Sequence, residues 1–540
     1  MIEEDARAMM LRSTLRRRWA LGVVAIAGPI VEVTLIAGLA PSVSRALAPQ
    51  ATALAPFGVF HDLRWVLVYH ASWLLLALEL VATVALRGAL IAFFVREAWP
   101  EDVPRPSFPR ALARGSAFTI IAMILLTPFA LMLFAQAVVP LSWFFFAAVP
   151  PVVLIAAAIH HAPVESWARR RPTLRTMGWI GLSFVAMTIA GGLLSASTLP
   201  TAIVVGAGAG AITALAWRRT VHALLGRAPV RRRALVPVLV SLTLATVVAG
   251  SAIGFATKEP PGITVTVPED EDAATGRPVL VVKGFGSTYS GNVTYDLGPG
   301  TVVRRFSYAG LDEQQRPKPY RPADTQASLR ILGARMHDQV LALRRRMGTD
   351  VTIVAESEGG LVAENYLATH DAPVNLVILL SPITTGSVVY YPERGRRGWG
   401  IAAGYGLRGI AAFVNAISNN DYSADAALIR DLVDLGPSPA ASLPCGTSHV
   451  AFVPLADAVA AHATEGRVLT VTAFHGGLLG DPEVLDQIRQ LLAGGRPSSR
   501  SSAWERLDDA IFAGATAWHV PALVPTLNDA WQVSPSRPCR

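Results

Sequence analysis

The chain has 540 residues, 52% of them hydrophobic and 16% charged, against about 25% charged in a soluble protein. That excludes a wholly soluble chain and, at this length, predicts more than one domain. The net charge of +8 does not point to nucleic acid or another acidic partner, because the basic residues of the first half cluster at the ends of apolar runs, where membrane orientation accounts for them.

Residues 1–257 predict a membrane domain. A helix needs about 20 apolar residues to cross the hydrocarbon core, and seven runs qualify: 19–41, 66–86, 116–138, 141–162, 178–197, 199–217 and 235–256. The first follows Arg16-Arg17-Arg18 and is too long for the apolar stretch of a signal peptide. Pro140, Pro150 and Pro151 make the third and fourth runs a tight hairpin. Arg87, Arg96, Arg105, Arg110 and Arg114 fall between the second and third runs, Arg169–Arg171 and Arg175 between the fourth and fifth, and Arg218, Arg219, Arg227 and Arg231–Arg233 between the sixth and seventh. The alternate connections are nearly free of arginine, with Arg45 and Arg64 in the long first one. This alternation predicts a cytoplasmic N-terminus and, after seven crossings, an extracytoplasmic C-terminal half. The stretch 88–99 either extends the second helix or lies on the inner surface. Glu32 and Glu79 sit inside the first two runs. At that depth a carboxylate marks a functional site or a hydrogen-bonded link between helices.

Residues 258–277, with Pro260-Pro261 and the acidic run 269–272, read as a linker. Beyond it, in 278–540, short β-rich runs (279–283, 302–306, 351–355, 376–380, 449–455 and 468–474) alternate with helical ones (327–347, 359–369), which argues for a mostly parallel sheet. An insertion at about 383–445 holds Tyr390-Tyr391, an apolar helix at 401–417 and a second near 424–433, placed to cap a site. A last helical stretch covers 503–518.

The chemistry concentrates at the carboxyl ends of these strands. The run 351–355 leads into Glu356-Ser357-Glu358-Gly359-Gly360. A strand, a serine flanked two positions either side by Ala355 and Gly359, and then a helix are what a sharp nucleophile elbow requires. Its next backbone N–H, that of Glu358, would face a developing oxyanion. A serine hydroxyl needs a base and an acid to orient it. In chain order these are Asp457, after the strand 449–455, and His475, after the strand 468–474. Asp421, Asp425 and His449 are the alternatives, none following a strand as cleanly. The early strand runs into Gly284-Phe285-Gly286-Ser287, whose glycines admit close backbone approach and whose Phe285 N–H is the expected second oxyanion donor. Cys445 and Cys539 show no metal-ligand spacing. They are either bridged, as an extracytoplasmic location permits, or two unrelated thiols. No cofactor and no metal are implied.

With these motifs the sequence resembles the lipase and esterase branch of the α/β-hydrolase superfamily, over residues 279–492. The carriers are the Gly-Phe-Gly-Ser loop, the Ala-Glu-Ser-Glu-Gly-Gly elbow, Pro-Leu-Ala-Asp457 and Phe-His475-Gly-Gly. The resemblance implies an α/β-hydrolase fold with Ser357 as nucleophile, His475 as base and Asp457 as acid. Ala355 replaces the usual elbow glycine, and Lys283 stands where many relatives carry histidine. The carboxylates Glu356 and Glu358 beside the serine are expected either to disfavour anionic substrates or to face solvent. The resulting expectation is a multi-pass helical membrane domain followed by a hydrolase domain cleaving esters or thioesters of lipid-like molecules at the bilayer. An envelope acyltransferase using the same triad and a non-catalytic receptor or accessory protein with this fold are the alternatives.

Overall fold

The computed structural model describes residues 2–39, 47, 49–138, 144–164, 173–195, 197–225, 276–291, 295–384, 386–387, 389–417, 421–436, 447–455, 457, 467–471, 475–495 and 502–520. The expected crossing at 235–256, nearly all of the linker, and both cysteines lie outside the described residues. The first half forms α1 (Ile2–Leu39), α2 (Ala55–Val66), α3 (Trp73–Glu97), α4 (Phe108–Val138), α5 (Phe144–Ile159), α6 (Leu174–Ser195) and α7 (Leu199–Leu225). Among the described residues five helices, α1, α3, α4, α6 and α7, are long and apolar enough to cross a membrane. The run expected at 141–162 is α5, with 16 residues, about 24 Å of helix against a core of about 30 Å.

The crossing expected at 66–86 is displaced. Pro56 opens the short helix α2, which is buried along most of its length and ends at Val66. Ser72 then caps α3 by accepting from the Leu75 N–H. α3 runs unbroken to Glu97, so the stretch from Gly88 extends the helix. Two arginines read as connection charges are therefore inside the bundle. Arg87 lies within α3, bonds both carboxylate oxygens of Asp62 at 2.6 and 2.5 Å, and donates to the Ala51 carbonyl at 2.6 Å. Arg64 lies in α2 and donates to the carbonyls of His519 at 2.6 Å and Ala517 at 3.3 Å. A buried guanidinium persists only with such partners, and apolar periodicity gives no sign of them. Glu32 belongs to the same network, accepting the Ala51 N–H at 2.9 Å and lying 2.8 Å from His61 Nε2. Glu79 has no polar partner among the described residues and is not brought to Glu32.

Small residues let the helices touch. A Cβ on Gly115 of α4 would fall 2.6 Å from the Gly88 carbonyl of α3, and one on Gly210 of α7 would fall 2.4 Å from the Ala25 carbonyl of α1. Outward, α3 exposes Trp73, Leu74, Leu78, Val81 and Leu86, the surface a lipid-facing helix requires.

The second half is an α/β domain around a six-stranded sheet: β1 (Arg277–Val282), β2 (Thr301–Arg305), β3 (Val351–Glu356), β4 (Val374–Leu380), β5 (Ser448–Pro454) and β6 (Arg467–Val471). Every pairing is parallel, in the order β2-β1-β3-β4-β5-β6. Helices α8 (Leu329–Met347) and α9 (Glu358–Thr369) follow β2 and β3. The insertion after β4 holds α10 (Ile401–Ile417) and α11 (Ala427–Leu435), and α12 (Pro482–Leu492) follows β6. Alternate strand residues serve opposite faces, as the period of two demands. Leu280, Val282, Ile353 and Ala355 pack towards α8 and α9, while Val279, Val281 and Val354 pack with Val484 and Ile488 of α12. The chain leaves β1 for β2 on one side and returns to β3 on the other. The carboxyl ends of β1 and β3 therefore flank a topological switch point, where open α/β sheets bind ligands. This is a helical domain with five helices long and apolar enough to cross a membrane, joined to an α/β domain built on a parallel six-stranded sheet.

The two halves are stitched together. The last helix, α13 (Ser502–Thr516), packs on α6, where a Cβ on Gly192 would fall 3.3 Å from Ala513. Trp518 is fully buried, stacked 4.8 Å from Phe184, edge-on to Phe57 at 5.6 Å, and donating to Thr188 Oγ1 at 2.9 Å.

Candidate active site

β3 ends at Glu356, and α9 begins at Glu358. The residue between them, Ser357, has φ 56° and ψ −122°. A non-glycine residue at positive φ is strained, and such strain persists only where its surroundings enforce it. Here the Ser357 N–H donates to the Leu380 carbonyl at 2.8 Å, and the Ser357 carbonyl accepts from Gly360 at 2.9 Å. The turn fits because its neighbours are small. A Cβ on Gly359 would lie 2.8 Å from the Val282 carbonyl, one on Gly284 would lie 2.8 Å from Ser357 Cβ, and Gly360 packs against Pro382.

The hydroxyl this turn presents is 2.7 Å from His475 Nε2. The other ring nitrogen, Nδ1, is 2.8 Å from Asp457 Oδ2. Asp457 is fully buried, and the imidazole is 14% exposed. Burial alone would lower the His475 pKa, but the Asp457 carboxylate outweighs it and holds the pKa above the ordinary 6.5. The structure thus brings Ser357, His475 and Asp457 together in one hydrogen-bonded chain. It does not bring in the alternatives. His449 sits at the amino end of β5, the opposite edge of the parallel sheet. Asp425 is bound by Arg408 and Arg430 within the cap. Asp421 meets Gln326 through its backbone carbonyl.

Both glutamates beside Ser357 depart from the expectation. Each is 1% exposed, so neither faces solvent or presents a surface charge. Glu356 Oε2 is 2.8 Å from Lys283 Nζ, and Oε1 accepts the Leu478 N–H at 3.0 Å. Burial would raise its pKa, yet the lysine beside it holds the carboxyl below the usual 4.5. The pair joins the loop after β1, the elbow, and the segment just past His475. Among the described residues neither carboxyl oxygen of Glu358 is hydrogen-bonded, and burial pushes its pKa well above the ordinary 4.5. Burial thus disfavours the charged form beside the serine, the opposite of the shift at Glu356. Lys283 and Glu356 were missed as a pair, although a lysine ending a buried strand in an arginine-rich chain is a visible signal.

Gly286, φ 73°, donates its N–H to Thr325 Oγ1 at 3.0 Å. The neighbouring Phe285 N–H has no acceptor among the described residues. Glu358, at the first position of α9, has an N–H that no carbonyl of its own helix can reach. Over this loop lies Tyr422 of the cap, its ring stacked 5.3 Å from that of Phe285 at 16°. Among the described residues no group of three or more potential metal ligands occurs.

No family profile matches the sequence, and no curated protein matches it. Solved structures do. The chain is similar to a putative thioesterase from Silicibacter sp., at 13% identity and TM-score 0.25, over 45% of this chain and 89% of that one. It is similar to the RedJ thioesterase of the prodiginine pathway in Streptomyces coelicolor, at 18% identity and TM-score 0.27, over 43% and 94%. It is also similar to a lipase-esterase related protein from Clostridium acetobutylicum, at 10% identity and TM-score 0.24, over 41% and 95%.

Proposed function

We propose that this protein is a membrane-anchored serine hydrolase that cleaves ester or thioester bonds of lipid-like substrates through Ser357, His475 and Asp457. The observation that carries the reading is the unbroken contact chain from Ser357 Oγ to His475 at 2.7 Å and on to Asp457 at 2.8 Å, starting from a strained strand-to-helix turn. His475 Nε2 takes the hydroxyl proton as Oγ attacks the acyl carbon. The tetrahedral oxyanion then accepts from the N–H groups of Phe285 and Glu358. His475 passes its proton to the leaving alcohol or thiol, leaving the acyl group on Ser357. Water, deprotonated by the same imidazole, attacks this ester, and the proton returns to Ser357 as the acid departs. Asp457 holds the ring orientation and stabilises the imidazolium.

The arginine pattern supports an extracytoplasmic location. The cap rests on the start of α3 and the end of α4, opposite the ends that carry Arg96, Arg105, Arg110 and Arg114. Hydrolysis of p-nitrophenyl esters by the purified full-length protein tests the chemistry. Ser357→Ala and His475→Ala are each expected to lower turnover by about three orders of magnitude or more. Wild-type turnover in Ser357→Ala would end the proposal. Reporters fused after Thr257 test the orientation, with activity expected only from one that works outside the cytoplasm.

A further inference from the structure

α10 is the helix of the cap that packs on α3 and α4, and its surface is the wrong kind for water. Its exposed positions are Tyr405, Gly409, Ala412, Phe413, Ala416 and Ile417. They recur at intervals of three and four residues, which is one face of a helix. None is charged, and Tyr405, Phe413 and Ile417 are 45%, 57% and 59% exposed. The one charged residue of the helix, Arg408, turns inward and bonds Asp425 through Nε and a terminal nitrogen, each at 2.7 Å. The opposite face buries Ile401, Leu407 and Val414.

The occupant of this stripe follows from its neighbours. Tyr405 packs against Trp73, the first residue of α3, with ring centroids 5.4 Å apart. A Cβ on Gly406 would fall 2.5 Å from Leu131 of α4. The Ala402 N–H, at the start of α10, donates to His70 Nε2 at 3.0 Å. The stripe is therefore continuous with Trp73, Leu74 and Leu78, the outward apolar surface of a helix long enough to span the membrane. Tyrosine and tryptophan at that junction are the residues favoured at headgroup level. From the far end of α10 a short path leads to the site. Asn415 bonds both the N–H and the carbonyl of Tyr422, each at 2.9 Å, and Tyr422 stacks on Phe285 in the loop whose Gly284 touches Ser357.

We infer that the Tyr405–Ile417 face of α10 lies in the outer leaflet of the bilayer spanned by α3 and α4, so that the site takes acyl esters of membrane-resident lipids at the level of their chains. The membrane contact stands on the surface alone; the substrate class rests on the serine-hydrolase reading.

The experiment uses full-length protein in phosphatidylcholine nanodiscs, with Phe413→Cys carrying an environment-sensitive fluorophore and the wild type labelled in parallel to subtract its own thiols. Replacing the lipid by one brominated on its acyl chains is expected to quench the probe at least about twofold, and to leave a probe at Asp350→Cys, on the polar surface, unchanged. Absence of quenching at position 413 overturns the membrane contact, and a dimer in the disc with that probe shielded would assign the face to a second copy instead. The activity arm compares Phe413→Glu/Ile417→Glu with wild type. A loss of about tenfold or more on a long-chain ester embedded in the disc, with a soluble short-chain ester unaffected, is expected. Equal rates on the embedded ester overturn the substrate class. If the wild type hydrolyses neither ester and a fluorophosphonate does not label it, the serine-hydrolase reading fails while the quenching result stands.

Discussion

Replacing Lys283 by methionine tests whether the ion pair behind the elbow holds the site together. Lys283 and Glu356 are both at least 95% buried by side chain, 2.8 Å apart. Methionine keeps the apolar stem and removes the charge, leaving a buried carboxylate with only the N–H groups of Leu478, 3.0 Å away, and Leu479, 3.4 Å away. Breaking such a pair from one side costs about 3–5 kcal/mol. Protonation sets a ceiling on that cost. The ordinary pKa is 4.5, so holding the group neutral at pH 7 costs about 3.4 kcal/mol, at about 1.36 kcal/mol per unit. In wild type the pKa is lowered, and the pair's contribution is present above pH 4.5 and fades as pH falls below it. In Lys283→Met the pKa is raised, so stability is full below 4.5 and drains as pH rises. The destabilisation should therefore be about 3 kcal/mol at pH 7, shrink by about 1.4 kcal/mol per pH unit on acidification, and nearly vanish at pH 4.5. Adding Glu356→Gln keeps an acceptor for Leu478 and should erase the slope. Thermal unfolding of the full chain in detergent at pH 5 and pH 7.5 measures this. A loss of Tm equal at both pH values, or untouched by the second substitution, would rule out this role for the pair.

Three further outcomes follow from the same geometry. The His475 pKa is raised by Asp457, so the acid limb of kcat/KM should titrate above 6.5 and move downward in Asp457→Asn; a limb that stays in place would contradict their coupling. Burial raises the Glu358 pKa, so the group contributes stability below 4.5 that is lost as pH rises towards its folded pKa. Glu358→Gln should remove that loss, and lower stability than wild type at pH 8 would count against it. Trp518→Ala should cost about 3–5 kcal/mol and free residues 502–520 to protease, and an unchanged Tm would mean that the docking of this segment on α6 does not stabilise the chain.

The sheet and the contacts around Ser357 were legible because they leave local marks. β-branched runs ending in Ser357, Asp457 and His475 specify strand, turn and side chain within a few residues of one another. α10 was placed at its observed residues by composition alone. What stayed hidden depends on partners distant in sequence. Arg64 and Arg87 look like connection charges until His519 and Asp62 are seen to receive them. α2 is only 12 residues long and buries His61 and Arg64 along with its apolar residues, so no solvent-facing polar side separates it from the next crossing. Glu356 and Glu358 are alike in sequence; Lys283, 73 positions away, lowers the pKa of one while burial raises that of the other. The return of Trp518 to Phe184 has no local signal at all.

The proposed chemistry turns on activation of the Ser357 hydroxyl by His475. Full-length protein, treated with a fluorophosphonate probe and digested, reports this directly by mass spectrometry. A single phosphonylated peptide containing Ser357 is expected, labelled at a rate that falls by at least about a hundredfold in His475→Ala. Label on another serine, or equal labelling of Ser357 without the imidazole, would contradict this activation.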